Sequence, residues 1–165
     1  MSEMPEYVLD REFAAPVALV WKAWTTPDLL ARWYGPGVET IIHRFDLTPG
    51  GLWLNEMKWG ETSDLSRMEF VAVEPEARLE WLHSSADADW NVAPNMMMPD
   101  WPRHLRVSVT FRADGARTKL RLSKVPVDAS AAEVACFAQA MSNLSKGWGS
   151  GFEILDQVLA EMQPD

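Results

Sequence analysis

Asn55 and His83 are the two polar side chains that fall on strand faces otherwise given to large apolar residues. In Trp53 to Trp59 the odd positions Trp53, Asn55, Met57 and Trp59 share a face, and Leu54, Glu56 and Lys58 take the other. The charges mark the even face as the solvent side, so the Asn55 amide points inward. In the run around Leu79, the residues Leu79, Trp81 and His83 share a face opposite Glu80. An inward histidine is a candidate acid or base near neutral pH. The plainer reading is a half-exposed histidine near a strand end, without the second partner that catalysis needs. Asn55 has a plain reading too, as a buried amide with its hydrogen bonds met. His104, just after Pro102-Arg103, and His43, with no clear face, are weaker candidates.

Other chemistries lack their residues. There is no His-Glu-x-x-His, and the histidines have no helical spacing, so no metal site is expected. Gly35-x-Gly37 and Gly147-x-Gly149-x-Gly151 lack the strand-turn-helix context of a phosphate cradle. No serine nucleophile elbow is present. Cys136 is the single cysteine. It excludes an internal disulfide and a cysteine-rich zinc site, and it fits a reducing compartment. The formal charge of -9 argues against binding nucleic acid or an anionic membrane, because both rest on basic patches. The N-terminal residues show no signal-peptide pattern, and no apolar run approaches the roughly 18 residues of a membrane span. The expectation is a cytoplasmic protein with no cofactor, no metal, no nucleic-acid partner and no membrane partner.

The elements that position these residues are legible from periodicity. At 165 residues the chain is read as one domain over 1–165. Tyr7 to Phe13 alternates as a first strand. Pro16 opens a short helix whose buried face is Val17, Val20, Trp21 and Trp24. Thr26-Pro27-Asp28 starts a second short helix, buried through Leu29, Leu30 and Trp33 and stopped by Gly35-Pro36-Gly37. Strands follow at about Val38 to Phe45, Trp53 to Trp59, Arg67 to Glu74, Leu79 to His83, Leu105 to Phe111 and Thr118 to Val125. Asp114-Gly115 joins the last two as a hairpin. Short sequential links predict an antiparallel sheet.

Ser130-Ala131-Ala132-Glu133 is a capping box that opens a long C-terminal helix. Val134, Phe137, Met141, Leu144, Trp148, Gly151, Leu155, Val158 and Met162 form its stripe. Gly147, Gly149 and Gly151 each cost about 1 kcal/mol against alanine in a helix interior. Such a cost points to close packing on the sheet, a kink, or room for a ligand; close packing is the favoured reading.

Alternation and helical phase together select cavity candidates: Trp33, Trp53, Asn55, Met57, Trp81, His83, Val107, Val109, Met141, Leu144 and Trp148. The chain holds nine tryptophans. Most are expected in the core, and some are expected to line a cavity as rigid rings. The segment from Ala86 to Arg103, with Trp90, Met96, Met97, Met98 and Trp101, is long for a loop. Its expected roles are a lid on a cavity mouth, a homodimer contact, or a loop folded over the core.

Ala15-Pro16, Trp24-Thr25-x-Pro27, Leu30-x-x-Trp33-x-Gly35-Pro36, Pro49-Gly50-Gly51-x-Trp53, Pro75-x-x-x-Leu79 and Gly147-Trp148 together resemble the Hsp-90 ATPase activator homologue family, of the single-domain type. This is a branch of the START-like, or SRPBCC, superfamily. The resemblance covers nearly the whole chain and rests on the order and spacing of these motifs. It implies an α+β helix-grip fold: a six- or seven-stranded curved antiparallel sheet around a long C-terminal helix, with two short helices after the first strand. It also implies an apolar or amphipathic small molecule held between sheet and helix. In the eukaryotic activator a further N-terminal domain binds the chaperone; this chain has no room for it, so a chaperone contact and a stress-response role rest on the resemblance alone.

The sequence therefore reads as a binding protein for a small apolar or aromatic ligand. A cyclase- or hydrolase-like enzyme using Asn55 and His83 in the same cavity is the alternative. A chaperone-associated or other interaction module is the third.

Overall fold

The structure, a computed structural model, describes residues 4–163. β1 (Tyr7–Phe13) leads into α1 (Val17–Thr25) and α2 (Pro27–Trp33). Pro16 is the residue before α1, one position earlier than in the usual N-terminal proline placement. Pro27 opens α2 and Asp28 lies in its first turn, where the helix dipole favours a carboxylate. Thr26 occupies the cap position without a side-chain bond; its carbonyl accepts the amides of Leu29 and Leu30 at 3.0 and 2.8 Å.

Six strands follow: β2 (Glu39–Phe45), β3 (Leu52–Trp59), β4 (Thr62–Glu74), β5 (Arg78–Ser85), β6 (Leu105–Asp114) and β7 (Arg117–Pro126). They form one seven-stranded sheet with β1, in the order β1-β7-β6-β5-β4-β3-β2. All neighbours are antiparallel. β4 begins at Thr62 rather than Arg67, because Gly60-Glu61 makes a tight turn and Trp59 pairs directly with Thr62. Polar Ser63, Asp64 and Ser66 concealed that half of the strand from a hydrophobicity pattern. The Asp114-Gly115 turn joins β6 and β7 as expected, with Gly115 at φ +62°.

Two bulges bend the sheet, one between Ile42 and Arg44 and one between Phe70 and Ala72. His43 is the extra residue of the first, which explains why alternation assigned it no face. Gly51 allows the turn before β3: a Cβ there would lie 2.2 Å from the Asp46 carbonyl oxygen. This is why Gly50-Gly51 precedes Trp53.

The capping box forms as predicted. Ser130 Oγ accepts from the Glu133 amide at 3.1 Å, and the Glu133 carboxylate accepts from the Ser130 amide at 2.9 Å. It opens α3 (Ala131–Gln139), and α4 (Met141–Glu161) carries the long helix. The predicted single helix is thus two. The break is at Ala140, whose amide is shared between the carbonyls of Cys136 and Phe137 at 3.2 and 3.1 Å. Such tightening is common at helix ends, and no glycine or proline marks it in the sequence.

The core lies between the concave face of the sheet and α1, α2 and α4. Trp24, Trp33, Trp53 and Trp81 are fully buried with Phe13, Phe70 and Phe152. Phe152 and Leu159 widen the predicted α4 stripe, and Phe13 meets Phe152 edge-on at 5.3 Å. Ion pairs fasten the helices from outside. Arg11 on β1 pairs with Asp156, and Arg32 on α2 pairs with Glu161 at 2.7 Å. This is a helix-grip fold: a curved sheet closed around one long helix. Among the described residues no helix is long and apolar enough to cross a membrane.

Candidate functional site

A cavity of about 310 Å³ opens between α4, the end of α2 and the inner face of the sheet. The Trp33-Tyr34-Gly35-Pro36 run and Val38 form one wall. Leu144, Gly147, Trp148 and Gly151, one helical face of α4, form the opposite wall with Asn143 beside them. Met57 of β3 and Lys124 of β7 close it on the sheet side.

The walls are rigidly held. The Trp148 ring stacks near Trp24 at 6.1 Å and 18°, and Tyr34 meets Trp148 edge-on at 5.7 Å. Trp33 Nε1 donates to the Ala23 carbonyl at 3.1 Å. Thr40 Oγ1 donates to the Tyr34 carbonyl at 2.6 Å. Burial, and then the nearby Asp64 carboxylate, push the Tyr34 hydroxyl pKa up. Burial also raises the Asp64 carboxyl.

The two glycines of α4 that border the cavity differ in what surrounds them. A Cβ on Gly151 would lie 3.0 Å from the Trp33 carbonyl oxygen, so this glycine lets α4 approach the end of α2. A Cβ on Gly147 would meet nothing within 4 Å, although Gly147 borders the cavity.

Lys124 is the side chain that the sequence reading missed. Alternation along β7 puts Thr118, Leu120 and Leu122 inward, and Lys124 is next in that phase. It is only 6% exposed. Its cross-strand partners are Tyr7 and Val107. Burial lowers its pKa from 10.5 to about 8. Its Nζ lies 5.9 Å from the centre of the Trp148 ring. A basic residue continuing an apolar alternation was the available signal.

Of the predicted cavity residues, Trp33, Met57, Leu144 and Trp148 border the cavity. Trp53, Trp81, Val107 and Val109 are buried in the core behind it. Asn55 is also buried; its Oδ1 accepts from Trp53 Nε1 at 3.3 Å, while its Nδ2 has no partner within the protein. Tyr7 Oη and Trp81 Nε1 are buried without a partner too. Met141 is half-buried at the start of α4, away from the cavity lining.

His83 faces inward between Met68 and Leu105, and it does not line the cavity. Burial, then the Lys124 charge, lower its pKa from 6.5 to about 3. A ring so shifted is neutral near pH 7. His104 is tied to Ser84 at 2.8 Å. His43 meets Glu56 at 2.8 Å and lies on the outer side beside Trp90.

The 86–103 segment is pinned both to itself and to the elements around it. Ala86 bridges Val92, Asn95 Oδ1 accepts from the Met97 and Met98 amides at 2.9 and 3.0 Å, and Trp101 packs on Phe137 at 5.8 Å. Met96, Met97 and Met98 are exposed. Trp90 and the three methionines do not border the α4 cavity; Met96 lines a separate depression with Ser63, Asp64 and Ser85. A larger depression, about 530 Å³, lies on the β1–β7 side. Ion-paired side chains such as Asp10 and Arg121 wall it, so it reads as solvated surface. Among the described residues no three His, Cys, Asp or Glu side chains group as metal ligands.

The fold is shared with several solved structures. The chain aligns with protein Ms6760 from Mycobacterium smegmatis at TM-score 0.77 and 23% identity, over 96% of each chain. A protein from Arthrobacter aurescens aligns at TM-score 0.78 and 22% identity, over 94% of this chain and 86% of that one. A Staphylococcus epidermidis protein aligns at TM-score 0.78 and 18% identity, over 100% and 95%. A comparison with curated proteins gave no match. The family described as activator of Hsp90 ATPase homolog 1-like protein matches residues 14–160. With that match spanning nearly all of the helix-grip domain, the chain belongs to the activator of Hsp90 ATPase homolog 1-like family.

Proposed function

We propose that the protein binds a small apolar or aromatic molecule in the cavity between the sheet and α4. The observation that carries this reading is the cavity itself. It is a concave space of about 310 Å³, walled by Trp33, Tyr34, Met57, Leu144 and Trp148. Ligand pockets typically combine such apolar walls with few polar groups. Gly147 supports the reading, because this helix interior forgoes a side chain where one would fit without contact. The neutral His83, lying off the cavity, weighs against a cyclase- or hydrolase-like use of that residue.

The test is binding of an uncharged apolar dye, N-phenyl-1-naphthylamine, followed by its fluorescence. Saturable binding at one site per chain is expected, and Gly147→Leu, which adds a side chain at the cavity border, should weaken it at least ten-fold. Dye binding that ignores Gly147→Leu, or no binding to the wild type, would remove the reading.

A further inference from the structure

Every charged side chain has to be solvated, paired or neutralised, and a buried one has the fewest options. Lys124 is nine-tenths buried and borders the cavity. Among the described residues, none of the ion pairs involves it. The cavity lining holds no carboxylate; its other polar side chains are Tyr34 and Asn143. Nearby titratable groups supply no opposite charge either. Tyr7 of β1 is paired across the strand, His83 of β5 repels the ammonium when charged, Asp64 of β4 lies beside Tyr34 while Lys124 is shifted by burial alone, and α4 presents Asn143, Leu144, Gly147 and Trp148. The face of Trp148, at 5.9 Å, is the one stabilising partner for the ammonium that the structure shows.

We propose that the ligand carries a single carboxylate and that Lys124 binds it, with the aromatic or aliphatic body of the ligand lying between Tyr34, Met57 and Trp148. The proposal rests on the cavity-binding reading above and narrows it to monocarboxylates. In a low-dielectric pocket one ammonium attracts an anion far more strongly than water would allow. A lysine is a point charge, without the bidentate fork of arginine. One such charge suits a monoanion better than a phosphate dianion. The volume stands at the small end of the ligand-pocket range of about 300–1,000 Å³. That size fits a one- or two-ring aromatic acid.

The test is calorimetric titration with 2-naphthoate, its methyl ester and 2-naphthylmethylamine, on the wild type and Lys124→Met. The wild type should bind the acid at least ten-fold more tightly than the ester, and the amine most weakly. Lys124→Met should bring acid and ester within two-fold of each other. The wild type alone gives a second measurement: raising the pH from 7 to 10 should weaken acid binding and spare the ester. Equal binding of acid and ester by the wild type overturns the carboxylate proposal and leaves the cavity reading standing. So does an acid preference that survives Lys124→Met or the rise to pH 10. Failure of acid and ester alike to bind overturns both.

Discussion

Lys124 Nζ sits 5.9 Å from the centre of the Trp148 ring, so the sheet and the long helix meet across the cavity through a cation and an aromatic face. The ring offsets part of what burial costs the ammonium. The rest of that cost is visible in the lowered pKa.

This cost gives stability a particular pH dependence. The Lys124 pKa falls on folding from 10.5 to about 8. Between those values the unfolded chain holds a proton that the folded chain has released, so this group makes stability rise with pH across the window. Below it, a buried charge is carried in the folded state. Lys124→Met should therefore be more stable than the wild type at pH 7, by on the order of 2–3 kcal/mol. The difference should shrink toward pH 10.5, as followed by urea unfolding. A variant less stable than the wild type at pH 7 would mean that the ammonium is better solvated than its burial suggests.

His83 acts on the acid side. Its pKa falls on folding from 6.5 to about 3. Between these values the unfolded chain binds a proton that the folded chain excludes, so stability is lost as pH drops through the window. His83→Gln keeps a polar side chain that does not titrate. The variant should lose less stability than the wild type between pH 6.5 and pH 4 in denaturant titrations. Parallel curves would show that the ring is protonated in the folded state.

Gly147 and Gly151 lie one helical turn apart and should respond in opposite ways. Gly147→Ala meets open space and should stabilise the protein by about 0.5–1 kcal/mol through helix propensity. Gly151→Leu drives atoms into the Trp33 carbonyl and should destabilise by about 1–3 kcal/mol. Thermal unfolding of both variants checks the pair. A fully stable Gly151→Leu would remove the close-packing account of that glycine.

Met96, Met97 and Met98 test whether the long loop covers the cavity. None of them borders it, and the Asn95 side chain holds the turn that carries them. Replacing all three with serine should leave dye affinity within two-fold of the wild type. A ten-fold loss would place the loop over the mouth.

The sequence revealed the sheet well because its strands alternate clearly and its turns use Asp114-Gly115 and Gly50-Gly51. It hid the first half of β4, where Ser63, Asp64 and Ser66 are polar on both faces. It also hid the break at Ala140, which involves neither glycine nor proline. At the site, helical phase correctly put Leu144 and Trp148 on one face, and strand phase put Met57 inward. Phase does not tell a core wall from a cavity wall, so Trp53, Trp81, Val107 and Val109 were grouped with the lining. That distinction depends on how near the facing helix comes, a tertiary quantity. Lys124 was overlooked because a lysine in a strand is normally assigned to solvent, although its position was in phase with Leu120 and Leu122.

The contact between Gly151 and the Trp33 carbonyl has a consequence for how this pocket can change. The gap between its two long walls is limited where main chain meets main chain, beside the interlocked rings of Tyr34, Trp24 and Trp148. A change of side chain at half-buried Leu144 or Met57 leaves that backbone approach in place, whereas buried Tyr34, packed on Trp53 and Trp148, is part of the wall itself. Aperture and lining are thus partly separable in this scaffold: the bare α-carbon of Gly151 limits one, and Leu144 and Met57 can vary the other with the chemistry of whatever is bound.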